Sequence, residues 1–342
     1  MSHPPLQPGW IDRPHLRMSL GDFPTEMGGF IRDAFLSYVI HGDLQSGRPV
    51  VLCPSAIAST HHRLDFLIGK GMALDPSHCT VIAVDALGNG LSVSPSNSQS
   101  QPRDQFPFIS VRDMVNSQSQ LLNLLGVDQV HAVVGASMGG MQALQWAVSE
   151  PQRVHHVVAM TPMARTTTWA RLMNETSRRV LQAHPGWRDD DPQAWSAWVP
   201  LMQMINSRTP DHWDALYQEI SDLLNDIDER VKTWQKQQYS VWDWLCQTHA
   251  YDAHDVGTTP GHNTTASALT SICAPTLILA PPLDLYNPAE SAHWAAQHIQ
   301  NCKFIEIPSR WGHQSASFAD AESVFFLAQH IHAFLWKTSN PT

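Results

Sequence analysis

The residue with the clearest capacity for chemistry is Ser137, within residues 130–148, which read VHAVVGASMGGMQALQWAV. The β-branched run before the serine predicts a buried strand, and the apolar residues at helical spacing after it predict a helix. Ser137 then stands at a sharp strand-to-helix turn, where neighbouring glycines let the backbone bend tightly. The helix N-terminus beneath it favours negative charge, so Ser137 is a candidate nucleophile. The alternative is an ordinary glycine-rich turn.

Two further side chains complete a possible catalytic group. Asp284 directly follows the predicted strand 275–280, and His313 lies in the loop after the predicted strand 304–307. Loops at the carboxyl ends of parallel strands come together at one edge of a sheet. His313 would take the proton of Ser137, and Asp284 would orient the imidazole. The sequence therefore predicts a Ser–Asp–His triad, although Asp284 could instead cap a helix and His313 could serve only a tight loop.

A serine nucleophile also needs two backbone N–H donors for the oxyanion of its intermediate. The residue after the nucleophile, Met138, is predicted to supply one of them. The other is predicted at Ala56, with Ser55 as the alternative, in a loop of small residues that permits close approach of a substrate. Substrate contacts are predicted for Gln314, Trp311 and Ser55.

These residues require a sheet to hold them in place. Strand–helix alternation predicts a mainly parallel sheet covered by helices on both faces. The first thirty residues, rich in proline and glycine, are predicted to form an irregular arm, and residues 34–40 an outer strand. Short buried strands are predicted at 50–53, 80–84, 130–134, 154–160, 275–280 and 304–307.

The alternation breaks in the second half of the chain. No convincing core strand occurs between residues 163 and 268, and eight of the thirteen tryptophans fall there. We therefore predict an α/β core formed by 1–162 and 269–342, with 163–268 inserted as a helical lid over the site. The alternative is a helical subdomain that only packs against the core.

Composition restricts the classes of partner. The chain has 342 residues and a net charge of −10, and its 21 basic residues form no cluster, so nucleic acid is not an expected partner. No apolar run approaches the ~20 residues of a membrane span, and the N-terminus lacks a signal-peptide pattern. Five scattered cysteines favour a reducing compartment, so a cytoplasmic location is predicted.

Metal and cofactor sites are not predicted. The nineteen histidines are dispersed, and the pairs at 61–62 and 155–156 are adjacent rather than spaced as helical ligand pairs. No CxxC motif is present. A structural role is the expectation for His61 and His62.

Several segments together resemble the homoserine O-acetyltransferase family of α/β-hydrolases. The segments are GASMGGMQALQWA around Ser137, VRDMVNSQSQLLNLLGV at 111–127, MNETSRRVLQAHPGW at 173–187, DLYNP at Asp284 and the Gly-His pair ending at His313. The resemblance runs from about residue 30 to the C-terminus. It implies the α/β-hydrolase fold, with a helical lid that often mediates a homodimer; the tryptophan-rich insertion fits such a contact.

Two departures from that family bear on the reaction. The transferases typically carry an aspartate directly after the catalytic histidine, where it helps to bind the amino group of homoserine, whereas this chain has Gln314. The oxyanion loop reads CPSAIAST in place of an HALTG-like pattern, and DALGNGLSVSP at 85–95 is more similar to general ester hydrolases. The combination resembles the homologues that hydrolyse short acyl esters.

The sequence thus predicts a serine-dependent hydrolase of short-chain acyl esters, with acetyl as the expected acyl group. The first alternative is a homoserine O-acetyltransferase that uses acetyl-CoA and shares the acyl-enzyme intermediate. A second, from another class, is a non-catalytic ligand-binding protein on the same fold.

Overall fold

The valine-rich segments form the centre of one continuous sheet in the computed structural model, which describes residues 3–206 and 208–336. Within these residues the sheet has eight strands, in the spatial order β1-β2-β4-β3-β5-β6-β7-β8. Neighbours from β4 onwards pair in parallel, while β2 pairs antiparallel with both β1 and β4. The prediction of a mainly parallel sheet is confirmed. The strands are β1 Leu16–Thr25, β2 Gly29–His41, β3 Val50–Pro54, β4 Thr80–Val84, β5 Ala132–Ala136, β6 Val157–Met160, β7 Thr276–Ala280 and β8 Cys302–Glu306.

The central strands are apolar on both faces because both faces are covered. Leu52 and Ile82 belong to one buried cluster, whereas their neighbours Val51 and Val81 belong to another. Successive side chains of a strand point to opposite faces, so the two clusters lie on the two sides of the sheet. This is the physical reason why these strands read as continuous hydrophobic runs.

Ten α-helices occur in the described part of the chain. The first is amphipathic and begins at a capping box, in which Ser110 and Asp113 exchange side-chain and backbone hydrogen bonds. None of the helices combines the length and the apolar character needed to cross a bilayer. They are α1 Val111–Leu124, α2 Met138–Ser149, α3 Thr168–Gln182, α4 Trp195–Asn206, α5 Pro210–Leu216, α6 Ile220–Gln235, α7 Val241–Ala253, α8 Thr265–Thr270, α9 Ala289–His298 and α10 Ala321–Trp336.

The N-terminal prediction is wrong from residue 16 onwards. That region forms β1, and β2 starts at Gly29, so the strand predicted as outermost is covered by another. The register of β1 against β2 shifts on either side of Gly21, which breaks the regular alternation that would have indicated a strand. Residues 3–15 have no regular secondary structure.

Helices α3 to α7 lie between β6 and β7, in the segment predicted as a lid. The described residues of this segment contain no strand of the sheet. Its tryptophans pack mainly on one another: the rings of Trp195, Trp198, Trp234 and Trp244 have neighbouring centroids 4.7–5.6 Å apart. Helix α7 also contacts the core, because Asp243 accepts hydrogen bonds from Ser96. The division of the chain into a core and a lid at residues 163–268 stays a prediction.

Candidate active site

Ser137 occupies a strained turn between β5 and α2. Its backbone angles are φ 57° and ψ −124°, a region that non-glycine residues rarely adopt. The turn is held by a hydrogen bond from the Ser137 N–H to the carbonyl of Met160, 2.9 Å, at the end of β6. The strain places the serine side chain at the carboxyl edge of the sheet, directly before the first residue of α2.

Glycines on both sides make this turn possible because neighbouring backbones touch there. A Cβ atom on Gly135 would lie 2.0 Å from the carbonyl oxygen of Gly139. A Cβ atom on Gly139 would lie 2.6 Å from the carbonyl oxygen of Pro54, which ends β3. Helix α2 therefore packs directly against the start of the loop that carries Ala56.

Substitution of Gly139 is expected to damage catalysis through that contact. In Gly139→Ala the new methyl group must push the Pro54 carbonyl, and with it the Ala56 loop, away from Ser137. Misplacement by about 1 Å can cost on the order of 100-fold in rate, so we expect kcat for p-nitrophenyl acetate to fall 10- to 100-fold. Gly29→Ala is the control, since a Cβ there meets only the Thr25 hydroxyl, at 3.6 Å. An unchanged kcat in Gly139→Ala would contradict this account.

The structure brings the three predicted catalytic side chains together. The Ser137 Oγ lies 2.8 Å from His313 Nε2, and His313 Nδ1 lies 2.6 Å from Asp284 Oδ2. All three residues are buried. A carboxylate at Nδ1 fixes the tautomer in which Nε2 carries a lone pair, so His313 can accept the proton of Ser137.

Asp284 and His313 are themselves positioned by residues that the sequence reasoning did not single out. The second carboxylate oxygen of Asp284 accepts the backbone N–H groups of Tyr286 and Asn287, both at 2.8 Å. The Tyr286 ring packs edge-to-face on the imidazole of His313, with centroids 5.1 Å apart. Both residues lie in the DLYNP segment, which contributed to the family resemblance, but the sequence predicted no role for either of them.

The candidate oxyanion donors differ in availability. Met138 is the first residue of α2, and an N–H in the first turn of a helix has no partner within that helix. The Ala56 N–H donates to the hydroxyl of Ser59, 2.9 Å. The Ser55 N–H is already used in a 2.9 Å bond to the carbonyl of Val84. Ala56 is thus better placed than Ser55, and a substrate oxygen would replace the Ser59 hydroxyl.

A buried chain of amides holds the loop against α2. Gln142 donates to the carbonyl of Ser55, 2.9 Å, and accepts a hydrogen bond from Gln118, 2.6 Å. The indole N–H of Trp146 donates to Gln118, 2.8 Å. These residues carry no sequence motif that marks such a role, because glutamines on helices are usually exposed.

A cavity of about 740 Å³ opens above Ser137. Its wall combines core residues, the irregular N-terminal segment and helices α4 and α6 of the insertion. Gln314 lines it as predicted. Ser55 does not, because it is buried beneath the loop, where its hydroxyl accepts the N–H of Ala86. Trp311 lies in a separate depression, where its ring packs against His212 with centroids 4.9 Å apart.

Among the described residues two carboxylates line the same cavity, and both come from α6. Asp226 pairs with Arg230 at 2.5 Å, and Glu229 pairs with Lys232 at 2.8 Å. Each negative charge on this wall therefore already has a basic partner on its own helix.

Comparisons with known proteins agree with this fold. Residues 48–318 match the family described as alpha/beta hydrolase fold. A homoserine O-acetyltransferase of Thermus thermophilus is 28% identical over 91% of each chain. A Corynebacterium glutamicum protein named "Probable esterase" is 34% identical over 52% of each chain. The solved structure of the acetyl esterase MekB superposes with a TM-score of 0.86 at 24% identity, covering 95% of this chain and 97% of that one.

A mainly parallel sheet with a strained serine turn at its carboxyl edge defines an α/β-hydrolase, and this chain belongs to that family. Within it, the chain is similar to homoserine O-acetyltransferases over most of its length, as the sequence segments indicated. The resemblance found in the sequence and the prediction of an α/β-hydrolase fold are both confirmed.

Proposed function

We propose that this enzyme hydrolyses short-chain acyl esters, acetyl esters above all, through an acyl-enzyme intermediate on Ser137. The observation that carries the proposal is the continuous hydrogen-bonded chain from Ser137 through His313 to Asp284 at the floor of the cavity. A serine, a histidine and an aspartate hydrogen-bonded in this order form the arrangement that activates a serine for acyl transfer.

The first half-reaction follows from the geometry. Ser137 Oγ attacks the ester carbonyl carbon while its proton moves to His313 Nε2, 2.8 Å away. The carbonyl oxygen becomes an oxyanion, which the N–H groups of Met138 and Ala56 stabilise. The C–O bond to the alcohol then breaks as His313 returns the proton to the leaving oxygen. The acyl group stays on Ser137, and the free alcohol departs.

In the second half-reaction His313 takes a proton from an acceptor that attacks the acyl-serine, and the carboxylic product leaves when Ser137 regains its proton. We propose that water is this acceptor. An ammonium-bearing amino acid would need a free carboxylate in the pocket, since burial of an unpaired charge is strongly unfavourable. Gln314 offers only a neutral amide, and Asp226 and Glu229 are paired with basic side chains.

Homoserine O-acetylation with acetyl-CoA is the second candidate. It is favoured by the full-length similarity to homoserine O-acetyltransferases, which exceeds the coverage of the "Probable esterase". Both candidates share the acyl-Ser137 step and differ only in the group that attacks it.

Whether water or homoserine receives the acyl group from Ser137 distinguishes the hydrolase from the transferase. With p-nitrophenyl acetate as donor, we expect free acetate as the product and no rate increase from millimolar homoserine, because Gln314 gives the ammonium group no charged partner. Acetate and O-acetylhomoserine are measured together by NMR. Gln314→Asp serves as the comparison variant that supplies the missing charge. Efficient O-acetylhomoserine formation by the wild-type enzyme would make the transferase correct, and no turnover of any acyl ester would favour the binding-protein alternative.

A homodimer through the insertion stays a proposal. The packing of the tryptophans on one another means that their number alone gives no reason for a dimer. Leu216, Ile220 and Leu224 on α5 and α6 are 46–68% exposed, and they form the apolar surface that we expect a second copy to cover. Light scattering at micromolar concentration should give twice the 38.1 kDa chain mass. A monomeric mass, or a dimer that persists in Ile220→Glu, would refute this interface.

A further inference from the structure

Four imidazoles from two distant parts of the sequence meet beside the cavity. Two lie in the irregular N-terminal segment and two follow the loop that contains Ala56. Their candidate ligand nitrogens all lie within 4.8 Å of one another. They belong to His3, His15, His61 and His62. We propose that this cluster binds one divalent transition-metal ion, with Zn²⁺ as the best match.

The orientation of the two buried imidazoles supports this proposal. His61 Nδ1 lies 3.0 Å from Asp85, and His62 Nδ1 lies 2.6 Å from Asp65. Histidines that bind metals characteristically donate their other ring N–H to a carboxylate, which fixes the tautomer and leaves the remaining nitrogen as a ligand. In both residues it is Nε2 that is left for the cluster.

His61 Nε2 is a buried polar atom without a partner. His61 is 2% exposed, and among the described residues no group hydrogen-bonds to this nitrogen. Protonation would only turn an unpaired acceptor into an unpaired donor, and a buried unpaired polar group is costly in either form. A metal ion bound to the lone pair removes that penalty.

Charge balance points the same way. Asp65 and Asp85 are 3% and 0% exposed, and their ion partners in the described part of the chain are the two adjoining imidazoles. A dication bound by the four imidazoles would balance the negative charge of these two carboxylates.

The spacing suits tetrahedral coordination. Zn–N bonds of about 2.0 Å give ligand-to-ligand edges of about 3.3 Å in a tetrahedron. His3 Nε2 and His62 Nε2 already lie 3.1 Å apart. The other separations are all within 4.8 Å, and rotation of the exposed His15 side chain can shorten the three that involve it.

The metal site would connect the N-terminal segment to the loop that carries Ala56, beside the cavity above Ser137. Pro4, Gln7 and Trp10 of that segment line the cavity, and Trp10 stacks on His62 with ring centroids 4.2 Å apart. A metal ion bound by His3 and His15 would hold this wall in place next to the Ala56 loop. Its role is therefore structural, since four protein ligands close the coordination sphere.

The test is direct metal binding, measured without any ester. The full chain is stripped with a chelator, dialysed and titrated with Co²⁺, whose visible absorption reports tetrahedral nitrogen coordination. We expect saturation at one Co²⁺ per chain, displacement of Co²⁺ by one equivalent of Zn²⁺, and a rise of several degrees in Tm on adding Zn²⁺.

Variants on the N-terminal segment identify the ligands. His3→Gln and His15→Gln are expected to weaken Zn²⁺ binding at least tenfold each, and the double variant to lose both the Co²⁺ spectrum and the Tm rise. His78→Gln is the control, because its side chain is 76% exposed and lies outside the cluster. His15 is exposed, so its loss leaves the core intact.

Two results would overturn the proposal. The first is the absence of a stoichiometric Co²⁺ or Zn²⁺ complex in the wild-type chain, which would make the cluster a purely hydrogen-bonded one. The second is binding that persists unchanged in the double variant. Neither result bears on acyl transfer to Ser137, so the proposed function stands or falls separately.

Discussion

Ser137→Ala is expected to abolish ester turnover while leaving the fold intact. The hydroxyl is the only group of the residue that meets His313, and its removal leaves no atom able to form the acyl-enzyme. Loss of the nucleophile from a serine triad can lower kcat on the order of 10⁶-fold. The measurement is kcat with p-nitrophenyl acetate, together with acetylation of the protein followed by mass spectrometry.

Circular dichroism melting distinguishes this effect from unfolding. The methyl group of alanine fits where the serine Cβ already lies, so Tm should stay close to that of the wild-type enzyme. Ser100→Ala, on the exposed surface, is the matched control and should retain full activity. If Ser137→Ala kept more than a few per cent of the rate, or still formed an acetylated enzyme through another side chain, Ser137 would not be the nucleophile.

Asp284→Asn is expected to lower kcat about 10⁴-fold, less than the loss of the nucleophile. An asparagine can turn its NH₂ group towards His313 Nδ1, which then becomes the acceptor and leaves Nε2 protonated. In that tautomer Nε2 cannot take the proton of Ser137, although the side chain still fits its site. The remaining amide oxygen can still accept the N–H groups of Tyr286 and Asn287, so the loop should keep its conformation.

His313→Ala gives the companion measurement, with an expected loss close to that of Ser137→Ala because the general base itself is removed. Asp189→Asn is the control for the aspartate, since its side chain is 84% exposed. Equal and mild effects of Asp284→Asn and His313→Ala would contradict the assignment of these two residues as one hydrogen-bonded unit.

Local sequence patterns were enough to place the core strands and the serine turn. Residues 80–84 and 275–280 read as buried strands because a strand covered on both faces must be apolar throughout. The turn at Ser137 was readable because its steric needs, small residues between a strand and a helix, are met within a few positions of the chain. The order of Ser137, Asp284 and His313 then followed from which strands they succeed.

What the sequence could not supply depends on contacts between residues far apart in the chain. The pairing of β1 with β2 was not predicted because register shifts at Gly21 interrupt the alternation of polar and apolar residues. The burial of Ser55 depends on its hydrogen bonds to Val84 and Ala86, which form only because β4 lies beside β3. Trp311 lies in the same loop as His313, yet it lines a separate depression and not the cavity above Ser137.

The histidine cluster shows the difference most plainly. Spacing along the chain gave no reason to connect His3 or His15 with His61 and His62, which lie some tens of residues further on. The sequence determined the strands, the nucleophile turn and the order of the triad, because each depends on neighbours within one element or the loop after it. Only the tertiary structure decided which side chains share a cavity or a charge, because Coulomb and hydrogen-bond energies depend on distances in space that the fold alone fixes.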